Sequence, residues 1–202
     1  MLGVHERTEL QRLCRQELPG LYALARRLGG IDPEELVQDT MERACRSFRS
    51  LRDPQAACKW LRTILTNIWR DRMRRDGRLP DEVPVEDERD FSLYRTLEEE
   101  DPLPYSDTLH VDFLGAFSEY DVHVVLDRLP VRYRAPLVLR YIEGFDATEV
   151  AALLDLPDGT VMSQLHRGRQ RFERELWRYA RESGLLDGLA MTTDGATEGT
   201  TA

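Results

Sequence analysis

Residues 145–171, FDATEVAALLDLPDGTVMSQLHRGRQR, read as two short helices joined by a tight turn, the second studded with basic residues. Asp146 is placed to cap the first helix, and Glu149, three residues on, to return to the cap's own amide; together they make a capping box. Val150, Leu153 and Leu154 then share one face. Asp155, Leu156, Pro157, Asp158 and Gly159 end this helix, because a proline disfavours helix at the residue before it. Asp158 is free to cap the next helix, expected to begin near Thr160. Along it Val161, Leu165 and Phe172 point inward at helical spacing, while Ser163, Gln164, Arg167, Arg171 and Arg174 occupy other faces and can meet phosphates or base edges. A solvated amphipathic hairpin would explain the periodicity alone. Capping, turn and basic second helix together point to a helix-turn-helix with a DNA-facing second helix.

The 202 residues carry a net charge of -9, with 41% hydrophobic and 32% charged residues, enough for one or two small globular domains with exposed connecting segments. That acidity is segregated. Residues 1–76 hold 15 basic and 11 acidic residues, residues 77–120 hold 3 and 13, and residues 121–183 balance at 10 and 10. Two parts of the chain can therefore approach a polyanion although the average is acidic. Of the 28 basic residues only Lys59 is a lysine, an arginine bias that fits a GC-rich genome. The three cysteines, Cys14, Cys45 and Cys58, are odd in number and lack CxxC spacing, so neither a disulfide framework nor a zinc site is expected; they read as small core residues. The opening MLGVHERTELQRLCRQ has charges where the apolar part of a signal peptide would lie, and no apolar run approaches the roughly 20 residues that span a bilayer. A soluble, cytoplasmic protein is expected.

From Glu6 to about Asp76 the pattern is helical throughout. Leu10, Leu13, Leu18, Leu21, Tyr22, Leu24, Ala25 and Leu28 recur at three- and four-residue steps, and Gly29 and Gly30 stop the run. Asp32 can cap a second helix, with Pro33 in its first turn and Glu35 three residues after the cap; Leu36, Val37, Thr40, Met41, Ala44 and Phe48 continue it. Arg52, Asp53 and Pro54 break the chain before a third helix, Ala56 to about Arg75. Its Trp60, Leu61, Ile64, Leu65, Ile68 and Trp69 form a wide apolar face, and Arg70, Arg72, Arg74 and Arg75 a basic comb. Residues 77–120, with Pro80, Pro84, Pro102, Pro104 and the run Glu98, Glu99, Glu100, Asp101, read as a solvated acidic linker, although Phe91, Tyr94, Tyr105 and Phe113 exceed what a spacer needs. Helices at 122–129 and 132–144 precede the helix-turn-helix within a second helical domain, 121–183. The polar tail, 184–202, is expected to be disordered. The fold class is thus all-α, two small helical domains joined by an acidic linker.

Two stretches, PEELVQDTMERACRSF (33–48) with ACKWLRTILTNIWRDRMRR (57–75), and LDRLPVRYRAPLVLRYIEGFDATEVAALLDLPDGTVMSQLHRGRQRFERELW (126–177), occurring in this order, resemble the extracytoplasmic-function (ECF) group of bacterial RNA polymerase sigma factors. The resemblance covers about 20–75, corresponding to sigma region 2, and 122–180, corresponding to sigma region 4, with the linker in place of the region 3 of larger sigma factors. FSLYRTLEEEDPLPYSDTLHVDF (91–113) and RGRQRFERELWRYARE (167–182) further resemble the oxidative-stress sigma factors of actinobacteria.

The resemblance implies that the helix from Pro33 to Phe48 docks on the clamp of core RNA polymerase, presenting Glu35, Leu36, Gln38, Asp39, Glu42, Arg43 and Arg46. An ordinary charged helix face is the other reading of these residues. It implies that the third helix melts and reads the promoter's minus-ten element, where an extruded base needs an apolar or aromatic pocket and the strand's phosphates need cations. Lys59, Trp60, Arg62, Thr63, Asn67, Arg70 and Arg74 fit that work, with Trp60 the tryptophan expected to be partly exposed. For the minus-thirty-five element the corresponding residues are Thr160, Met162, Ser163, Gln164, His166, Arg167 and Arg171. Many relatives carry Lys at the place of Met162 and Arg at that of Gln164, so the sequence read differs. His166 reads equally as a phosphate ligand or a core-edge histidine.

Function expected on this footing is promoter-specific transcription initiation with core RNA polymerase, without a cofactor or catalytic site of its own. An anti-sigma partner is implied, zinc-binding and thiol-sensing in the oxidative-stress relatives. Two rival functions stay open at the level of sequence: a regulator binding DNA through the helix-turn-helix with 1–76 as a dimerisation module, and a sigma-like decoy that titrates an anti-sigma factor.

Overall fold

The computed structural model describes residues 4–51, 53–78 and 114–185, and all regular structure among them is helical. Most of the expected linker, including its prolines, its acidic run and Phe91, Tyr94, Tyr105 and Phe113, lies outside the described residues, as does the tail beyond 185. Seven α-helices are described: α1 Val4–Leu28, α2 Pro33–Ser47, α3 Ala57–Arg75, α4 Glu119–Arg128, α5 Val131–Leu137, α6 Ala147–Leu154 and α7 Asp158–Glu182. They belong to two compact units that do not follow chain order, Met1–Val85 with Pro130–Leu165, and Glu86–Leu129 with His166–Ala202.

In the first unit α1, α2 and α3 pack on one another, α5 packs on α1, and α6 packs on α3. The apolar stripes foreseen from periodicity supply the core: Leu21, Leu24, Ala25 and Leu28 of α1, Leu36 and Ala44 of α2, and Leu61, Leu65 and Trp69 of α3 are fully buried. Each large side chain so buried contributes on the order of 1.5–3 kcal/mol. Leu18 and Tyr22 depart from the expected α1 stripe and are exposed. The α1–α2 corner is tight. Gly29 and Gly30 have φ of 68° and 79°, a region L side chains seldom enter, and a Cβ on Gly29 would lie 2.5 Å from Nη2 of Arg134. The Trp69 indole donates to the Gly29 carbonyl at 2.8 Å, so a core aromatic on α3 closes that corner with its polar atom satisfied.

Helix ends follow the sequence at some caps and depart from it at others. Asp32 accepts from the amides of Glu34 and Glu35, while the Glu35 carboxylate turns to Arg72 at 3.1 Å instead of completing a box. At α6 the expected box is complete: Asp146 accepts from the Glu149 amide at 2.8 Å and Glu149 from the Asp146 amide at 2.9 Å. Asp155 then ends α6 in the left-handed region, φ 53°. The next helix begins at Asp158, two residues before the expected Thr160, because the Pro157 carbonyl accepts from the Thr160 and Val161 amides; Asp158 lies inside the first turn, where a carboxylate still favours the helix dipole. After Pro136 the chain continues α5 as a π-helical turn, Val138–Ile142, where one continuous α-helix was expected.

The second unit contributes α4, whose Ser118 and Asp121 form a capping box, and the C-terminal part of α7. Asp121 also accepts from the Tyr179 hydroxyl, and Arg128 pairs with Glu182 at 2.8 Å. Val125, Leu126, Leu176, Trp177 and Ala180 are buried.

Candidate nucleic-acid interface

Lys59, Arg62, Arg70 and Arg74 stand 3, 11 and 15 residues along α3 from the first of them, which at 3.6 residues per turn places all four within an arc of about 120°. The expected cationic face is thus present on α3. It is also engaged within the first unit. Lys59 donates to a carboxylate oxygen of Glu149 in α6, and its ammonium lies 5.2 Å from the centre of the Phe145 ring. Arg62 donates to Glu143 and, at 3.1 Å, to Glu17. The Glu143 side chain is 4% exposed and is also 3.8 Å from Arg27, so two guanidinium groups compensate a carboxylate that would otherwise be costly to bury. Arg70 donates to the Leu153 carbonyl at 2.8 Å. Arg74 reaches the Asp155 carboxylate at 2.6 Å and the Leu154 and Asp155 carbonyls at 3.2 and 2.9 Å.

These last partners are chemically coherent. Leu153, Leu154 and Asp155 end α6, where carbonyls lack intrahelical donors and the dipole is negative, so two arginines of α3 satisfy that helix terminus. The Lys59 ammonium and then the Asp146 amide hold the Glu149 carboxyl below the usual carboxylate range, and Arg74 does the same for Asp155. Glu17, Arg27 and Glu143 were not singled out from the sequence. Periodicity assigns faces to helices, and it has no means of pairing Arg62 with a residue 81 positions away.

The other residues expected on α3 divide. Thr63 spends its hydroxyl on the Lys59 carbonyl at 2.9 Å. Trp60 is half-buried and meets Phe48 edge to face, ring centres 6.5 Å apart, whereas Trp69 is core. Asn67 is half-buried.

On α2, Gln38, Glu42, Arg43 and Arg46 are exposed, with Arg46 and Glu42 paired at 3.3 Å. Glu35 and Asp39 both pair with Arg72 of α3, so they brace the helix. Leu36 corrects the expected set: it is fully buried in the core and cannot be presented on the surface of this helix.

In the first unit's part of α7, Met162 is 57% exposed, Ser163 is exposed and Thr160 half-buried. Gln164 turns partly inward, its Oε1 buried without a hydrogen-bond partner among the described residues. In the second unit's part His166 is exposed, 3.4 Å from the Gln170 amide nitrogen, and Arg167 and Arg171 are half-buried.

Among the described residues no three His, Cys, Asp or Glu side chains converge as metal ligands would, and no helix is long and apolar enough to cross a membrane. The cysteines are free thiols, and the expectation that all are core residues is corrected by Cys45, which is exposed on α2; Cys14 and Cys58 are half-buried. Burial pushes both half-buried thiols up, Cys58 further through its hydrogen bond with Glu17, which lowers their thiolate fraction and reactivity.

The chain matches two protein families in order, Sigma-70 region 2 over residues 13–79 and Sigma-70, region 4 over residues 120–172. It is 31% identical over 182 residues to ECF RNA polymerase sigma factor SigM of Mycobacterium tuberculosis, an alignment covering 87% of this chain and 83% of that one. The chain belongs to the ECF RNA polymerase sigma factors. This ECF chain is also 38% identical over 173 residues to ECF RNA polymerase sigma factor SigE of Mycolicibacterium smegmatis, with 85% of its own length aligned but only 63% of that relative's. The fold of the ECF chain is shared with the sigma factor RpoE solved in complex with the anti-sigma factor NepR from Bartonella quintana, at TM-score 0.53 and 24% identity over 82% of this chain and 95% of that one.

Proposed function

We propose that this chain is an alternative sigma factor that binds core RNA polymerase and directs promoter-specific transcription initiation in the cytoplasm, in a stress response governed by an anti-sigma factor. The observation that carries the reading is the occurrence, in one chain and in family order, of a cationic helix α3 and a helix-turn-helix, α6 and α7, whose second helix is basic. Residues 1–76 serve polymerase binding and the minus-ten element, 121–183 the minus-thirty-five element, and 77–120 connects them. On α2 the exposed Gln38, Glu42, Arg43 and Arg46 meet the polymerase. On α3 Lys59, Trp60, Arg62, Thr63, Asn67, Arg70 and Arg74 meet the melted strand, the cations through its phosphates. On α7 Met162, Ser163, His166 and Arg167 read base edges, while Thr160, Gln164 and Arg171 support them. The controlling partner is a zinc-binding, thiol-sensing anti-sigma factor, in line with the likeness to mycobacterial relatives. The chain works by binding, and the chemistry of initiation is the polymerase's.

Transcription reconstituted with core polymerase, this chain and genomic DNA tests the reading, with transcript ends mapped by sequencing. Starts downstream of one shared pair of elements are expected. Core binding without specific starts would instead make the chain a decoy, and specific DNA binding without core binding an ordinary helix-turn-helix regulator.

A further inference from the structure

Cys14 of α1 and Cys45 of α2 stand at one level of the hairpin that these two helices make. The turn between them, 29–32, is short and the helices pack on each other, so they run antiparallel within one compact unit. Cys14 lies 14 residues before Leu28, where α1 ends, and Cys45 lies 12 residues after Pro33, where α2 begins. At about 1.5 Å per residue both are roughly 20 Å from the corner. Their faces agree as well. Leu10, Cys14, Glu17, Leu21, Leu24 and Leu28 alternate steps of four and three, so Cys14 falls in the seam whose leucines are buried. Cys45 borders the buried Ala44 and lies one turn before the buried Phe48, while itself exposed. Axes of packed helices run about 8–10 Å apart with Cα atoms about 2.3 Å off each axis, which brings Cα atoms along the contact within the roughly 7 Å that a disulfide can span. Burial first, and the charge of Cys45 next, raise the Cys14 thiol above its ordinary value, and the second cause acts only between neighbouring sulfurs. Cys58 differs, its neighbours being Glu17, Arg62 and Glu143.

We propose that Cys14 and Cys45 form a peroxide-oxidisable dithiol site, in which the exposed Cys45 takes an oxygen from a small hydroperoxide and Cys14 is the resolving thiol that closes a reversible α1–α2 disulfide. With hydrogen peroxide the Cys45 sulfur bonds to one oxygen and the O–O bond breaks. The other oxygen leaves as water with the Cys45 thiol proton, and Cys45 is then a sulfenic acid. The Cys14 sulfur next bonds to the Cys45 sulfur, the S–O bond breaks, and that hydroxyl leaves as a second water with the Cys14 proton. Two thiols lose two electrons and one peroxide is reduced to two waters. Exposure sets the order, because the accessible thiol meets the oxidant first. An exposed sulfenic acid without a resolving thiol goes on to sulfinic and sulfonic acids, which thiol reductants do not reverse. Cys14 thus keeps the oxidation of α2 at a step that a reductant undoes.

Tryptic mapping of the full-length chain after exposure to hydrogen peroxide tests this, because the three cysteines fall in separate peptides, 13–15, 44–46 and 53–59. Peptides 13–15 and 44–46 are expected joined by a disulfide within one chain, with Cys58 left as a thiol, and dithiothreitol is expected to return both cysteines to thiols. Cys14→Ala, which keeps a small apolar side chain in the seam, is expected to lose that recovery, its Cys45 accumulating as sulfinic and sulfonic acid. Cys45→Ser at the exposed position is expected to leave Cys14 a thiol under the same exposure. Wild-type chain in which Cys45 overoxidises as far as in Cys14→Ala, or pairs with Cys58 or with a second chain instead of Cys14, overturns the site. The wild-type map needs no substitution, so it decides the matter even if a variant folds poorly. Every readout is of the free chain, so failure of the transcription assay and failure of this site are separate results.

Discussion

Arg72 on α3 donates a hydrogen bond to Asp39 on α2, and its other terminal nitrogen is 3.1 Å from Glu35, one turn earlier. One arginine therefore ties two successive turns of α2 to α3, alongside the buried Leu36 and Ala44. Arg72→Ala is expected to cost about 1 kcal/mol, the Glu35 arm adding little because that carboxylate is largely exposed. A urea midpoint equal to wild type would show that the brace contributes nothing.

The outward face of α2 is a separate matter from its bracing. Glu42→Arg with Arg43→Glu reverses two exposed charges, keeps net charge and uses good helix formers. Core polymerase should be bound at least about tenfold more weakly, roughly 1.4 kcal/mol, at an unchanged thermal midpoint. Undiminished competition against wild type for core enzyme would remove this face from the interface.

Base reading on α7 is expected to centre on Arg167, because a bidentate arginine contact is worth about 1–3 kcal/mol of discrimination. Arg167→Ala should relax preference at one base pair of the upstream element in a selection from randomised promoters, leaving polymerase binding intact. Ser163→Ala should do less. An unaltered selected sequence would transfer the role to Ser163 or His166.

Gly29 and Gly144 share a left-handed backbone, φ 68° and 75°, but Gly144 faces open space and Gly29 faces the Arg134 guanidinium. Alanine at Gly144 should cost only the conformational penalty, about 1–2 kcal/mol. Alanine at Gly29 should cost more, because Arg134 must also move. Equal thermal destabilisation of the two variants would mean that the α1–α2 corner has room to spare.

Tyr179 and Asp121 should reveal each other by titration. The Asp121 hydrogen bond, then burial, raises the Tyr179 hydroxyl above the ordinary tyrosine value near 10. A raised folded-state pKa means that the pair's contribution is complete below the ordinary tyrosine range and is lost as pH rises through the raised value. Asp121 is held low by the Ser118 hydroxyl first and by Tyr179 next, so its contribution is present above the ordinary aspartate range and fades as pH falls through the lowered value. The ultraviolet phenolate transition missing from Tyr179→Phe should lie above the ordinary tyrosine value, and Asp121→Asn should bring it down. A missing transition at the ordinary value would break the assignment.

Local physics was legible in the sequence wherever it is local in the chain. The Asp146 and Glu149 box, the glycine stop after Leu28 and the buried stripes of α1 to α3 depend on residues a turn or two apart, and each could be read by spacing. Leu36 stands between the polar Glu35 and Gln38 in sequence, yet with Val37 and Thr40 it belongs to the inner stripe. Asp158 was given the cap that the Pro157 carbonyl makes unnecessary, and the π turn after Pro136 left no mark on the periodicity. Nor did composition reveal that the α3 cations find partners 81 to 90 residues away, because complementary charge on two amphipathic helices does not say which two will meet.

The first compact unit is assembled from two segments separated by residues 86–129, and this gives synthesis on the ribosome a definite order. At roughly 5–20 residues per second, the intervening 44 residues take about 2–9 s to translate. Throughout that interval α3 has been made and its counterpart has not, so Lys59 and Arg74 wait for Glu149 and Asp155, whereas Arg62 and Arg72 already have Glu17, Glu35 and Asp39 within the completed stretch. A nascent chain at this stage presents a basic helix beside ribosomal RNA, and the stretch translated during the wait, with 13 acidic against 3 basic residues in 86–129, is a competing anion that travels with it.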